Sequence, residues 1–260
     1  MRNVERYQAT IAYDGTAFWG FQSQPDVRTV EGEIRSALTV LGWRGRTLLC
    51  GGRTDAGVHA AGQVAAFDLE WSHPPGDLQR ALNALLPDDI SCPALHAAAA
   101  DFHPRYDALR RCYRYRIYSA DWPDPLRDRY ELRVWPAPDA DRMSEAAQGI
   151  PGTRDFGSFG SAPRKGSHTV RTVLRAEWIR AGDALEFWIE ADAFLFRMAR
   201  TIAGSLLEVG RGRRSGEAFQ ALLDAPAREA AAPPAPAHGL CLMRIEYPGD
   251  GLSERPAPNV

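Results

Sequence analysis

The chain of 260 residues contains almost no lysine: Lys165 is the only one, so thirty of its 31 basic side chains are arginines. It also lacks any C-x-x-C pair, because Cys50, Cys92, Cys112 and Cys241 lie far apart. A disulfide framework or a zinc site has no support from that spacing, and a reducing, cytoplasmic setting is expected. Its six histidines show neither H-x-x-x-H nor H-E-x-x-H spacing, so no metal is expected in the chemistry. No apolar run approaches membrane-spanning length, and the first seven residues contain no apolar signal core, so no membrane association is expected. Strong net charge is missing too. The formal value of −2 argues against a uniformly basic nucleic-acid binder.

What is present describes an ordinary globular protein, 45% apolar and 25% charged, long enough for one large or two ordinary domains. The arginines are clustered. Arg105, Arg110, Arg111, Arg114 and Arg116 form one group, Arg211, Arg213 and Arg214 another, and Arg164, Lys165, Arg171 and Arg175 a third. Acids gather elsewhere, between Asp121 and Glu145, so a neutral chain can still carry a basic groove. The guanidinium fork suits phosphate and stacks on bases, although a G+C-rich genome produces the same bias.

Residues 6–13 alternate as a strand that ends at Asp14-Gly15. A loop with Phe18, Trp19 and Phe21 follows, read equally as an apolar patch or a nucleic-acid contact. Thr29 caps a helix with apolar positions Val30, Ile34, Ala37, Leu38 and Leu41. Strands at 46–50 and 62–69, a helix opened by Pro74 and Pro75, and a strand at 90–99 complete a βαββαβ order. The second half repeats it: a strand at 111–118, an extra one within 129–135, and a helix from Asp139 or Asp141. A hairpin at 170–180 and 185–193 comes next, then a helix at 194–209 stopped by Gly210. A short helix at 215–224, a Pro- and Ala-rich loop at 225–238 and a last strand at 240–247 close the order. The expected fold is therefore α+β, with two tandem ferredoxin-like halves and a central cleft between antiparallel sheets. The first half is assigned to residues 1–105, the second to 106–247, and a disordered tail to 248–260.

The ten residues from Gly51 to Ala60, GGRTDAGVHA, form the loop between the strands at 46–50 and 62–69. Asp55 stands two residues after Arg53. A neighbouring cation keeps a withdrawn carboxylate ionised and available as a nucleophile, whereas an Asx-type turn would use the same residue only to cap its backbone. In the strand from Arg110 to Arg116, alternation puts Tyr113 and Tyr115 on one face and Arg114 and Arg116 on the other. That pattern suits a base-stacking platform, and equally a half-buried strand with tyrosines in the core and arginines in water. Arg200, in an apolar helix, needs a partner, and Asp55 is one candidate.

GRTDAGVHA resembles the signature of the TruA family of tRNA pseudouridine synthases. Further segments are similar in order and kind: Phe102 to Tyr106, Arg111 to Tyr115, Ala193 to Arg200, Gly204 to Gly210, and Gly239-Leu240. The resemblance runs from about Tyr7 to Tyr247. It departs from the family pattern at Cys112, where arginine is common, and at Phe196-Arg197, where histidine is often seen. Loop 160–170 is less family-like, which leaves tRNA contacts there unassigned.

The resemblance implies a cofactor-free, homodimeric enzyme that isomerises uridine to pseudouridine at positions 38, 39 and 40 of the tRNA anticodon stem-loop. It implies Asp55 as the nucleophile and Tyr113 packed on the target uracil as a candidate acceptor of the C5 proton. Arg200 would pair with the Asp55 carboxylate, and Arg53 would help hold the site open after base flipping. The chemistry is consistent with this. An isomerisation needs a flipped base, one ionised carboxylate and a proton acceptor, with water excluded. Both attack at C1′ and removal of a sugar proton are open to such a carboxylate. A non-catalytic RNA-binding protein, or an N-glycosidase releasing free uracil, would share much of the same surface.

Overall fold

The computed structural model describes residues 4–162 and 167–250, which divide into two compact units. The first comprises the described residues up to Leu109 together with those from Leu242 onward; the second runs Arg110–Cys241. The last strand thus crosses from one unit to the other in sequence. Residues 251–260, most of the expected tail, lie outside the described residues, as do Arg164 and Lys165.

The first unit contains β1 (Val4–Tyr13), α1 (Val30–Val40), β2 (Leu49–Cys50), β3 (His59–Glu70), α2 (Pro75–Leu85) and β4 (Ile90–Ala98). β1 is antiparallel to both β3 and β4, with Tyr7 opposite Phe67 and Ala97, and β2 pairs with β3 through Leu49 and Ala66. The order across this sheet is β4-β1-β3-β2. Alternation along β1 buries Tyr7, Ala9, Ile11 and Tyr13 on one face. Thr29 caps α1 by accepting from Gly32 N–H at 3.2 Å, and the helix buries Val30, Ile34, Ala37 and Leu38. α2 starts at Pro75, where a missing N–H costs nothing, and buries Leu78 and Leu82. Truncating any of these buried Leu or Ile side chains to Ala would cost about 2–5 kcal/mol.

The second unit contains β5 (Arg110–Tyr118), β6 (Leu132–Arg133), α3 (Ala140–Ala147), β7 (Gly152–Asp155), β8 (Val170–Ala181), β9 (Ala184–Ala191), α4 (Met198–Gly210) and α5 (Gly216–Asp224). The chain then enters β10 (Leu240–Glu246). β5, β9, β8 and β7 are successive antiparallel neighbours, while the two-residue β6 lies parallel to β5. Asp139 caps α3 by accepting from the N–H groups of Asp141 and Arg142, and Ser215 caps α5. No helix among the described residues is long and apolar enough to cross a membrane.

Several boundaries differ from the sequence expectation. The strand at 46–50 shrinks to Leu49–Cys50, and β3 starts at His59, inside the motif. α4 starts at Met198 because Arg197 takes a left-handed conformation (φ 63°) and Phe196 bridges to Ser161 instead. Gly210 lies within that helix, and the left-handed residue beyond it is Gly212 (φ 69°). β7 has no clear sequence signal.

Arg110, Arg114 and Arg116 of β5 are partly withdrawn from water and paired with carboxylates. Arg110 pairs with Glu190 at 2.9 Å, and Arg116 lies 3.1 Å from Glu186 and 3.2 Å from Glu131. Arg114 lies 3.5 Å from Glu186, which also accepts from the Trp188 indole N–H at 2.9 Å. Charges withdrawn from water need such partners, and these come from the neighbouring strand and the loop after β5.

Candidate active site

The loop carrying Asp55 is tethered at both ends by groups inside the first unit. At its start, Gly51 N–H donates to the Val64 carbonyl at 2.8 Å. Gln63, fully buried in β3, then holds Gly52 at two points. Its Nε2 donates to the Gly52 carbonyl at 2.6 Å, and its Oε1 accepts from Gly52 N–H at 3.2 Å. Beneath Gly51 sits Tyr247, whose hydroxyl donates to the Pro104 carbonyl at 2.8 Å. The segment from Phe102 to Tyr106 is thereby fixed beside the loop, with the Phe102 and Tyr247 rings edge-to-face at 5.1 Å.

In the middle of the loop the side chains alternate. Thr54 is buried, sharing a 2.8 Å hydrogen bond between its Oγ1 and the Tyr13 hydroxyl, while Arg53 is exposed and Asp55 half-buried. The Thr54 carbonyl accepts from Phe21 N–H at 3.1 Å. Asp55 opens a turn closed by the main chain, in which Val58 N–H donates to its carbonyl at 3.2 Å. Gly57 supplies the positive φ (77°) that such a turn needs at its third position. At the far end, His59 Nδ1 accepts from Gly15 N–H at 3.0 Å, joining the motif to the Asp14-Gly15 turn.

The aromatic loop after β1 packs under the motif. Phe18 and Phe21 are buried, and Gly20 has φ +93° with an added Cβ only 2.8 Å from the Thr54 carbonyl oxygen. Only glycine fits both that approach and that conformation. Cys50, immediately before the loop, is no rival nucleophile: burial pushes its thiol up to about 11, so it stays protonated near neutral pH.

Tyr113, Tyr115 and Arg200 belong to the second unit. Tyr113 in β5 is 8% exposed, with its ring edge-to-face on Phe194 at 4.8 Å. Tyr115 is structural rather than a platform. Its hydroxyl donates to the Pro236 carbonyl at 2.8 Å, its ring lies against Gly239, and burial pushes its pKa well up. Arg200 lies in the first turn of α4, half-buried, and its Nε donates to the Ala235 carbonyl at 2.8 Å. Arg171 donates to the carbonyls of Val170 and His168, whereas Arg105, Arg211 and Arg213 remain exposed. Sequence reasoning missed Gln63, Tyr13 and His59 as supports of the loop. A lone amide within the apolar run of β3 was the available signal for Gln63.

A loop with one carboxylate displayed on a rigid, main-chain-bonded turn is a setting for chemistry at that carboxylate. Residues 9–107 and 146–248 match the family model for tRNA pseudouridine synthase. The chain belongs to that family. It is 42% identical over 244 residues to tRNA pseudouridine synthase A of Bacillus licheniformis, covering 93% of this chain and 99% of that protein. The protein of the same name from Bacillus subtilis is 41% identical over the same shares, and that from Halalkalibacterium halodurans is 42% identical over 258 residues, 98% of each chain.

Proposed function

We propose that this chain is an isomerase that converts uridine to pseudouridine in tRNA, at positions 38, 39 and 40 of the anticodon stem-loop, with Asp55 as nucleophile. The observation that carries the reading is the tethered Asp55 turn. Buried Gln63 and Tyr13 hold the loop before, and buried His59 holds it after, a carboxylate that is itself partly open to solvent. Preorganisation of that kind is what a reacting carboxylate needs, and a binding surface alone does not. In the reaction the C1′–N1 bond breaks, the uracil turns, and a C1′–C5 bond forms. A proton leaves C5 and one is gained at N1. Atoms and electrons balance within the nucleotide, so no cofactor is consumed.

The remaining roles rest on the resemblance. Tyr113 packs on the flipped uracil and accepts the C5 proton, Arg200 pairs with the Asp55 carboxylate, and Arg53 holds the site open. The order β4-β1-β3-β2 supports a ferredoxin-like first unit, and the βα…ββα sequence of β5, α3, β8, β9 and α4, followed by the start of β10, supports a second. We take the working form to be a cytoplasmic homodimer, as the family resemblance implies.

The test is product analysis. Unmodified tRNA transcripts with a single uridine at position 38, 39 or 40 are incubated with the protein and digested to nucleosides. Pseudouridine at these positions is the expected product. Free uracil would favour an N-glycosidase, and tRNA bound but unchanged would favour a binding protein; either overturns the proposal.

A further inference from the structure

Among the three aromatics of the loop after β1, two are buried, Phe18 at 3% and Phe21 at 1%, but Trp19 between them is 64% exposed. A single exposed aromatic is unremarkable by itself. What distinguishes Trp19 is how its backbone is held and what holds it. Its N–H donates to the Arg28 carbonyl at 2.9 Å, and its carbonyl accepts from Gln24 Nε2 at 2.9 Å. On either side the chain is bonded to the loop that carries Asp55. Gly57 N–H donates to the Phe18 carbonyl at 3.3 Å, and Phe21 N–H donates to the Thr54 carbonyl at 3.1 Å. With both flanking rings buried and both flanking residues fixed, the indole is kept at the surface. It makes no ring contact among the described residues.

Position gives this a consequence. A Cβ on Gly20, the next residue, would lie 3.3 Å from the Asp55 carbonyl carbon. With 3.8 Å between successive Cα atoms, the Cα atoms of Trp19 and Asp55 are at most about 10 Å apart. That is roughly three nucleotides at about 3.4 Å of rise each. Flipping a uridine out of its strand leaves neighbouring bases with an uncovered face, and an indole is the largest stacking surface a side chain offers.

We propose that Trp19 forms a nucleobase-stacking subsite beside the Asp55 loop, taking an RNA base within about three nucleotides of the target uridine. The inference rests on the tRNA-modifying function proposed above. Stacking on an aromatic side chain tolerates any base, so the subsite contributes affinity and register rather than sequence choice.

The experiment places 2-aminopurine, in turn, at each of the three nucleotides on either side of the target uridine in an anticodon stem-loop. Fluorescence is read on binding to an Asp55→Asn protein with tryptophan, phenylalanine or alanine at position 19. At one or two of these positions we expect quenching that Trp19→Phe retains in part and Trp19→Ala abolishes. In the active protein, Trp19→Ala should raise KM for tRNA roughly 5- to 100-fold with a smaller change in kcat. Identical quenching at every position, or an unchanged KM, overturns the subsite. Absence of turnover by the unsubstituted protein would instead overturn the function on which it rests, so the two failures are distinguishable.

Discussion

Replacing Gln63 tests whether the Asp55 loop is held from beneath. In Gln63→Leu the volume is nearly kept, but the Gly52 N–H and carbonyl lose their partners in a part-buried site. Each unsatisfied group costs about 1–3 kcal/mol, so a loss of roughly 2–5 kcal/mol is expected, a melting temperature lower by on the order of 10 °C. A merely structural role would stop there. If the clamp also positions Asp55, kcat at a temperature where the variant is fully folded falls about 100-fold, the effect of a displacement near 1 Å, while KM changes little. Gln63→Glu sharpens the test. Its carboxylate can accept from Gly52 N–H but cannot donate to the Gly52 carbonyl, whereas the protonated acid can do both. Burial raises its folded pKa above the usual value of about 4.3, so the folded state binds the proton more tightly than the unfolded one. Stability relative to Gln63 is therefore best below that value and is lost as pH rises through the folded pKa. The variant-to-native activity ratio, measured by pseudouridine formation from pH 5 to pH 8, should fall with rising pH. A ratio independent of pH, or native kcat in Gln63→Leu, would refute the clamp.

Other substitutions test different parts of the account. Gly20→Ala puts a Cβ near 2.8 Å from the Thr54 carbonyl oxygen at a φ of +93°; backbone strain of about 1–2 kcal/mol plus the clash should lower kcat more than tRNA affinity, as read by steady-state kinetics and filter binding. Glu186→Gln leaves Arg114 and Arg116 without a carboxylate they share. Because these arginines are only partly withdrawn from water, urea denaturation should report a loss of about 2–3 kcal/mol, near or below the low end for a fully buried pair. His238 has its pKa lowered chiefly by burial, so below about pH 6.5 the unfolded chain takes up a proton that the folded chain resists. Native stability should fall between pH 7 and pH 5 more steeply than that of His238→Gln, and equal slopes would count against this.

Local signals in the sequence were reliable where the physics is local. The Thr29 cap, the Pro75 start of α2 and the alternation of β1 depend on residues a few positions apart and stand where their patterns place them; Asp139, one of two candidates for the start of α3, is its cap, and Ser215, read as the first residue of α5, caps it instead. Features set by distant partners were not legible. Of the strand expected at 46–50, only Leu49 and Cys50 pair with β3, and β3 begins early because Ala60 already pairs with Tyr13 of β1. The apolar run from Phe194 reads as helix, but the left-handed Arg197 and the bridge at Phe196 delay its start to Met198. The arginine-rich strand looked like a basic surface because Glu131, Glu186 and Glu190 are far from it in sequence. The motif displayed Asp55, but not the groups that hold it. Only the folded first unit brings Tyr13, Gln63 and His59 to its loop.

The measurement that bears most directly on the central claim uses tRNA transcripts labelled with tritium at uracil C5. Label released to water is counted for the native protein, Asp55→Asn and Asp55→Ala, beside the tRNA affinity of each. The account predicts release and pseudouridine formation by the native protein alone, with both variants still binding tRNA. Release by Asp55→Asn at a rate close to native would contradict the assignment of Asp55 as the reacting carboxylate.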